Sequence, residues 1–329
     1  MSTYDLITFG RSNMDLFSAN IGAPFIAIEA FTTQVGGSPT NIAIGTARLG
    51  MRSAALTAVG ADPVGDFVLN YLGKQKVITD LIPRKPGRTS LAVLGIEPPD
   101  KFPLTFYREA PPDIELTIDD VPDLNGTAAL LMSGTALARG ACADAALYAL
   151  ESAQQAGTFV YLDLDLRPDQ WPHPMAYGVA MRRIMPLCDV IIGTEEELWA
   201  AINRDPAGWH GNAAVSDEER AAVEAWVAQY VSDGQRTVVL KRGARGVSLF
   251  VGNDPVVDVS GFPVEVLNTV GAGDAFASGL IFSRYRGTNW TDSARFANAC
   301  GAIVVTRHGC AEALPTLEEV ESFIDRRSR

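Results

Sequence analysis

The chain has 329 residues, with 27 Lys+Arg against 39 Asp+Glu, so its formal net charge is −12 with the histidines neutral. At 47% hydrophobic and 20% charged it is too apolar to stay disordered, and its negative charge opposes binding to nucleic acid or anionic lipid, where Lys and Arg must neutralise phosphates. No apolar run reaches the ~18 residues of a membrane span, and Met1 to Asp5 lack the basic and apolar regions of a signal peptide. A cytoplasmic protein with reduced thiols is expected. Cys142, Cys188, Cys300 and Cys310 form no Cys-x-x-Cys pair, and His173, His210 and His308 share no metal-ligand spacing, which argues against structural zinc.

In chain order, residues 6–9, 54–59, 128–132, 159–164, 190–192 and 237–240 read as short buried parallel strands. Residues 140–155, 195–202, 217–232 and 316–326 carry apolar residues at helical spacing, with Ser216 or Asp217 as a helix start. This alternation predicts an α/β fold, a doubly wound, mostly parallel sheet flanked by helices, with ligands at the carboxyl ends of the strands. Residues 13–35 and 88–108 break the rhythm with β-type composition punctuated by Pro and Gly. They read either as irregular surface excursions or as a small antiparallel sheet forming a lid, which leaves 1–12, 36–87 and 109–329 as the core.

Standard nucleotide motifs are missing: there is no G-x-x-x-x-G-K-[ST], and no G-x-G-x-x-G follows a strand. Two glycine-rich turns stand out instead. Asn268-Thr269-Val270-Gly271-Ala272-Gly273-Asp274 leads into an apolar helix at 275–285. There Gly271, Ala272 and Gly273 can present backbone N–H groups and a helix dipole to an anion. Asp274 beside such a hole suits a base that takes a hydroxyl proton, or else is an N-cap after a Gly turn. Val35-Gly36-Gly37-Ser38-Pro39-Thr40-Asn41 opens a small-residue helix. Gly36 and Gly37 admit a polyol and Asn41 can bond its hydroxyls, while Ser38 also reads as a cap with Pro39 at the first helical position.

Taken together, the Gly-Gly-x-x-x-Asn helix start and the Asn-Thr-x-Gly-Ala-Gly-Asp loop resemble the two signatures of the ribokinase-like (PfkB) carbohydrate kinases, over essentially the whole chain. The resemblance implies an ATP-dependent kinase using Mg2+, with Asp274 as base and Asp15, Gly36, Gly37 and Asn41 around the sugar. It further implies that Lys241, Gly243 and Gly246 hold nucleotide phosphates, that Asn298 borders the adenine, and that Glu197 orders the metal through water.

Glu97 to Arg108, with Asp163-Leu164-Asp165-Leu166-Arg167-Pro168 and Lys241-Arg242-Gly243, is similar to the subgroup that phosphorylates 5-dehydro-2-deoxy-D-gluconate at O6 in inositol breakdown. A 2-keto-3-deoxygluconate kinase, another sugar kinase of the family, or a non-catalytic sugar-binding regulator are the alternatives. A sugar acid brings a carboxylate that the planar guanidinium fork suits, and Arg108 and Arg167 are the expected clamps on carboxylate or phosphate. Two residues depart from the family pattern: Thr194 replaces the Asn of Asn-x-x-Glu, and Asn268 replaces an Asp near a site that holds a monovalent cation in some relatives, so potassium dependence is left open. An open lid edge invites a homodimer.

Overall fold

Strands that are apolar along their whole length need cover on both faces, and in the computed structural model they obtain it from helices. The structure describes residues 4–98, 101–209, 211, 213–233 and 236–327. Pro99 and Asp100 of the lid segment, His210, and the terminal residues 1–3 and 328–329 lie outside that set. The first third of the chain comprises β1 (Leu6–Phe9), β2 (Asn13–Ser18), β3 (Phe31–Gly36), α1 (Ser38–Leu49), β4 (Ser53–Leu56), α2 (Pro63–Lys74), β5 (Ser90–Leu94) and β6 (Leu104–Tyr107). Next come β7 (Ala129–Ser133), α3 (Cys142–Ala156), β8 (Phe159–Asp163), α4 (Pro174–Ile184), β9 (Val190–Thr194), α5 (Glu195–Ile202), α6 (Asp217–Ser232) and β10 (Thr237–Lys241). The remainder is β11 (Val247–Val251), β12 (Val257–Val259), α7 (Ala272–Tyr285), α8 (Trp290–Val305) and α9 (Leu317–Arg327).

Among the described residues the large sheet has the order β12-β11-β10-β9-β8-β7-β1-β4. From β4 to β10 the pairs are parallel, and β11 and β12 close one edge antiparallel. Alternate side chains feed two apolar layers. Leu131, Tyr161, Ile192 and Val239 pack on the side of α1, α7 and α8, while Leu130, Leu162, Ile191 and Leu240 pack on the side of α3 to α6. No helix among the described residues is long and apolar enough to cross a membrane.

The two excursions make a second sheet of order β3-β2-β5-β6. The expectation of an antiparallel sheet holds for β2 with β3 and for β5 with β6, but β2 and β5 pair parallel, Met14 opposite Leu91. The reason is topological: each excursion leaves the core on one strand and returns on the next, so the two outgoing strands run side by side in the same direction.

Candidate active site

The parallel strands deliver polar side chains to one rim, as a sheet of this topology should. Arg11 follows β1, Asp163 ends β8, Thr194 ends β9 and Lys241 ends β10. A cavity of about 280 Å3 opens there, closed on its far side by lid residues including Asn13, Asp15, Leu104 and Phe106. It is also lined by Gly37, Asn41, Asp165, Arg167, Glu197, Gly271, Gly273 and Asp274, so residues far apart in sequence meet at one place.

Helix α7 starts at Ala272, three residues earlier than the sequence pattern suggested, with Gly271 as N-cap at φ 85°. That left-handed conformation suits glycine, and a Cβ at this position would run into Cys310 Sγ. Asp274 therefore lies inside the first turn. It does not cap the helix; its Oδ2 accepts from Asn41 Nδ2 at 2.7 Å. The contact exists because α1 and α7 pack closely: a Cβ on Gly45, one turn beyond Asn41, would collide with Ser278, one turn beyond Asp274. Burial pushes the Asp274 carboxyl upward and Asn41 opposes that rise. Ser38 is likewise not the cap of α1, where Gly37 stands at φ 104°. Instead its hydroxyl donates to Asp163 Oδ2 at 2.6 Å.

A row of charges crosses the rim. Lys241 Nζ lies 3.6 Å from Asp163 Oδ1 and 3.7 Å from Glu197 Oε2. A Cβ on Gly273 would sit 3.5 Å from the same ammonium, so Lys241 stands over the first turn of α7. Burial would lower Lys241, but Glu197 and Asp163 outweigh it and hold the ammonium charged. Burial raises Asp163 to about 7 against the pull of Lys241. Asp165 goes the other way, because Arg11 and Arg167 overcome its burial.

Thr194, the residue that departs from the family pattern, caps α5 and forms a capping box with Glu197. Glu197 accepts from Thr194 N at 2.8 Å and Leu166 N at 3.1 Å, which fixes its carboxylate toward Lys241. Among the described residues no three metal-ligating side chains converge. Asp163 and Glu197, the two carboxylates facing Lys241, are the residues here that could bond the water shell of a divalent ion arriving with phosphates.

On the sugar side, Asp15 is paired with Asn13 and sits against Gly36, where any Cβ would collide with the carboxylate. Gly37 is equally constrained, by the Arg11 carbonyl. Burial raises Asp15 to about 7, with Arg11 opposing. Arg108 does not line this cavity. Its two Nη atoms donate to Asp113 at 3.0 and 2.7 Å and its Nε to Gln170 at 3.1 Å, so its fork is already filled by a buried ion pair. This corrects its expected place as a clamp: the acidic partner five residues away, invisible as such in the sequence, captures the guanidinium. Arg167 does line the cavity, 3.1 Å from Asp165.

Gly243, Gly246 and Asn298 lie beside the cavity rather than in its wall. Gly243 and Gly246 have φ of 57° and 92°, and a Cβ on Gly246 would strike the Val259 carbonyl. Asn298 Nδ2 donates to the carbonyls of Val259 and Ser260 at 3.0 and 3.1 Å. These residues thus shape one strip next to Lys241, with the Asn298 amide spent on the backbone. Sequence reasoning gave no site role to several residues of the cavity, among them Arg11, Asn13, Asp163, Asp165 and Cys310. Cys310 Sγ lies 3.1 Å from Asn41 Nδ2, and burial raises its thiol well above the usual range.

An anion-ready helix start, a half-buried carboxylate in its first turn and a second small sheet over the cavity define a sugar kinase of the ribokinase type. Consistent with this, residues 4–317 match the model of the pfkB family carbohydrate kinases. The chain belongs to that family and is a phosphotransferase acting on a sugar hydroxyl. Relatives include proteins named 5-dehydro-2-deoxygluconokinase. That of Clostridium beijerinckii is 31% identical over 97% of this chain and 92% of its own length. That of Geobacillus thermodenitrificans is 33% identical over 97% and 93%. Among solved structures, a fructokinase double mutant from Vibrio cholerae O395, bound to fructose, ADP and potassium ion, superimposes with a TM-score of 0.81. It is 27% identical, and the match covers 98% of this chain and 99% of that one.

Proposed function

We propose that the protein transfers the γ-phosphoryl group of ATP to O6 of 5-dehydro-2-deoxy-D-gluconate, in inositol breakdown in the cytoplasm. The observation that carries the chemistry is the position of Asp274, half-buried in the first turn of α7 and held by Asn41 in the same cavity as Asp15 and Lys241. The substrate reading rests on the two relatives above and on the guanidinium groups around Asp165. The O6–H bond breaks as oxygen attacks the γ-phosphorus, the proton passes to Asp274, and ADP leaves. A carboxylate raised by burial is a stronger base, and Asn41 keeps its lone pair aimed.

The N–H groups of Gly271, Gly273 and Asp274 and the Lys241 ammonium face the charge on the transferring phosphoryl, while that of Ala272 is bonded to the Thr269 carbonyl at 3.3 Å. Mg2+ would neutralise phosphate oxygens, held through water by Asp163 and Glu197. Asp15, and the buried Asn41 Oδ1, which has no partner in the protein, receive the sugar hydroxyls. Gly243, Gly246 and Asn298 shape the strip for the nucleotide. Leu104 and Phe106 exclude water when the lid covers the sugar. The lid also exposes Ile26, Phe31 and Tyr107 and ends in the open edges of β3 and β6, which suits pairing with a second copy, checked by light scattering.

Asp274→Asn tests the base. Turnover should fall about 10³-fold while the sugar KM stays within about threefold; near-normal turnover in the folded variant would sink the assignment. Turnover on 5-dehydro-2-deoxygluconate, 2-keto-3-deoxygluconate, fructose and ribose, compared side by side, tests the substrate.

A further inference from the structure

Arg11 stands apart from the transfer row, yet its side chain is only 4% exposed. Nη1 makes both of its hydrogen bonds, to Asp165 Oδ2 at 2.7 Å and to Thr135 Oγ1 at 2.8 Å. Nε is buried without any partner. In a guanidinium the Nε–H and one N–H of Nη2 lie side by side and make the fork that fits a carboxylate. That fork is therefore unused by the protein, although Arg11 lines the cavity. A buried donor of a charged group left unpaired is strongly unfavourable, so the site is built for an acceptor that the chain does not supply.

The surroundings separate Arg11 from the other candidates. Arg108 spends its fork on Asp113. Arg167 also has a buried Nε without a partner and acts on Asp15, but its Nη2, the other half of that fork, lies 3.1 Å from Asp165 Oδ1, so its fork is half filled. Arg11 neighbours Asp15 at the sugar end, and its guanidinium carbon lies 5.7 Å from the ring centre of Phe106 on lid strand β6. Asp165, bonded through Nη1, holds the guanidinium plane in place and leaves the other edge available.

We propose that the Nε–Nη2 edge of Arg11 binds the substrate carboxylate and is what distinguishes a sugar acid from a neutral sugar. This rests on the sugar-acid reading above. The lid then acts as part of the carboxylate site, since Phe106 covers the cation that the carboxylate neutralises.

The test compares kcat/KM for 5-dehydro-2-deoxygluconate and for its C1 amide, which keeps the carbon frame but carries no charge, with Mg-ATP. The wild-type enzyme should prefer the acid by at least about tenfold, and Arg11→Met should reduce the acid-to-amide ratio about 10- to 30-fold, the effect of a lost charge-assisted pair. Arg11→Lys keeps a cation beside Asp165 without the fork, so it guards against a folding failure, and its ratio should fall about tenfold. Equal losses on acid and amide in the Lys variant would make Arg11 a strut for Asp165 and overturn the proposal alone. A wild-type enzyme indifferent between acid and amide, or one that turns over neither, would overturn the sugar-acid reading and this assignment with it.

Discussion

Every residue of β1, β4 and β7 is buried, whereas β3 opens with three exposed residues and β6 has none buried. The large sheet is covered on both faces and can hold carboxylates, an ammonium and a helix start at fixed positions along one rim. The lid is covered on one face; it contributes Asp15, Leu104 and Phe106 to the cavity, and Gln34 of β3 accepts from the backbone of Cys310 and Glu312 in the core. Stability is therefore concentrated in the first sheet, and substrate choice in the seam between the two. Transfer chemistry tolerates little displacement, so it belongs on the rigid side, while a lid has to open.

The sharpest way to break this division is to excavate the core. Leu162 is fully buried on β8 between Met132 and Ile191. Leu162→Ala should lower the unfolding free energy by about 3–5 kcal/mol, read from urea transitions. A loss below about 1 kcal/mol would mean that the large sheet is not where the stability lies. Lys241→Met comes next. It removes the ammonium that balances Asp163 and Glu197, and kcat should fall about 10²-fold with a higher ATP KM. Without that cation Asp163 rises further, so the acid limb of the rate profile should move to higher pH, and an unmoved limb would count against the coupling.

Much of this was legible in the sequence, and for different reasons. The core strands announced themselves as unbroken apolar runs because both faces are covered, and Asp274 and Asn41 were found because glycines flank them where a close approach is required. Helices α2 and α4 were passed over although Asp62-Pro63 and His173-Pro174 mark their starts, since each cap accepts a helix N–H ahead of a proline in the first turn. Arg11 and Cys310 could not be found locally. Arg11 acquires its meaning from Asp165, 154 residues away, and Cys310 from Asn41, 269 residues away. Arg108 failed in the opposite sense, because a nearby acid gives it a structural partner. Only packing decides which arginine keeps a free edge.

A smaller effect is expected from pH. Burial raises Asp15 from 3.8 to about 7, so between about pH 4 and 7 the native protein holds a proton that the unfolded chain releases. Native stability from that proton is complete below about pH 4 and is lost as pH rises through about 7. Asp15→Asn stays neutral throughout. Relative to wild type, its stability should therefore improve with rising pH, by on the order of 2 kcal/mol between pH 5 and 8.5 in the free enzyme. A difference that is flat with pH would show that Arg11 already holds Asp15 ionised.

The smallest change in stability belongs to the lid and separates the two regions most cleanly. Leu104 is 42% exposed, yet it lines the cavity opposite the transfer row. Removing its side chain uncovers little that was dry, so Leu104→Ala should change the unfolding free energy by less than about 0.5 kcal/mol. The same truncation lets water reach the sugar under the lid, and the sugar KM should rise several-fold with ATP KM unmoved. ATP hydrolysis without phosphorylated sugar should rise in parallel, because the lid then excludes water less well from the phosphoryl being transferred. If stability fell with KM, the lid would be part of the folding core after all; if neither moved, Phe106 alone would be closing the site.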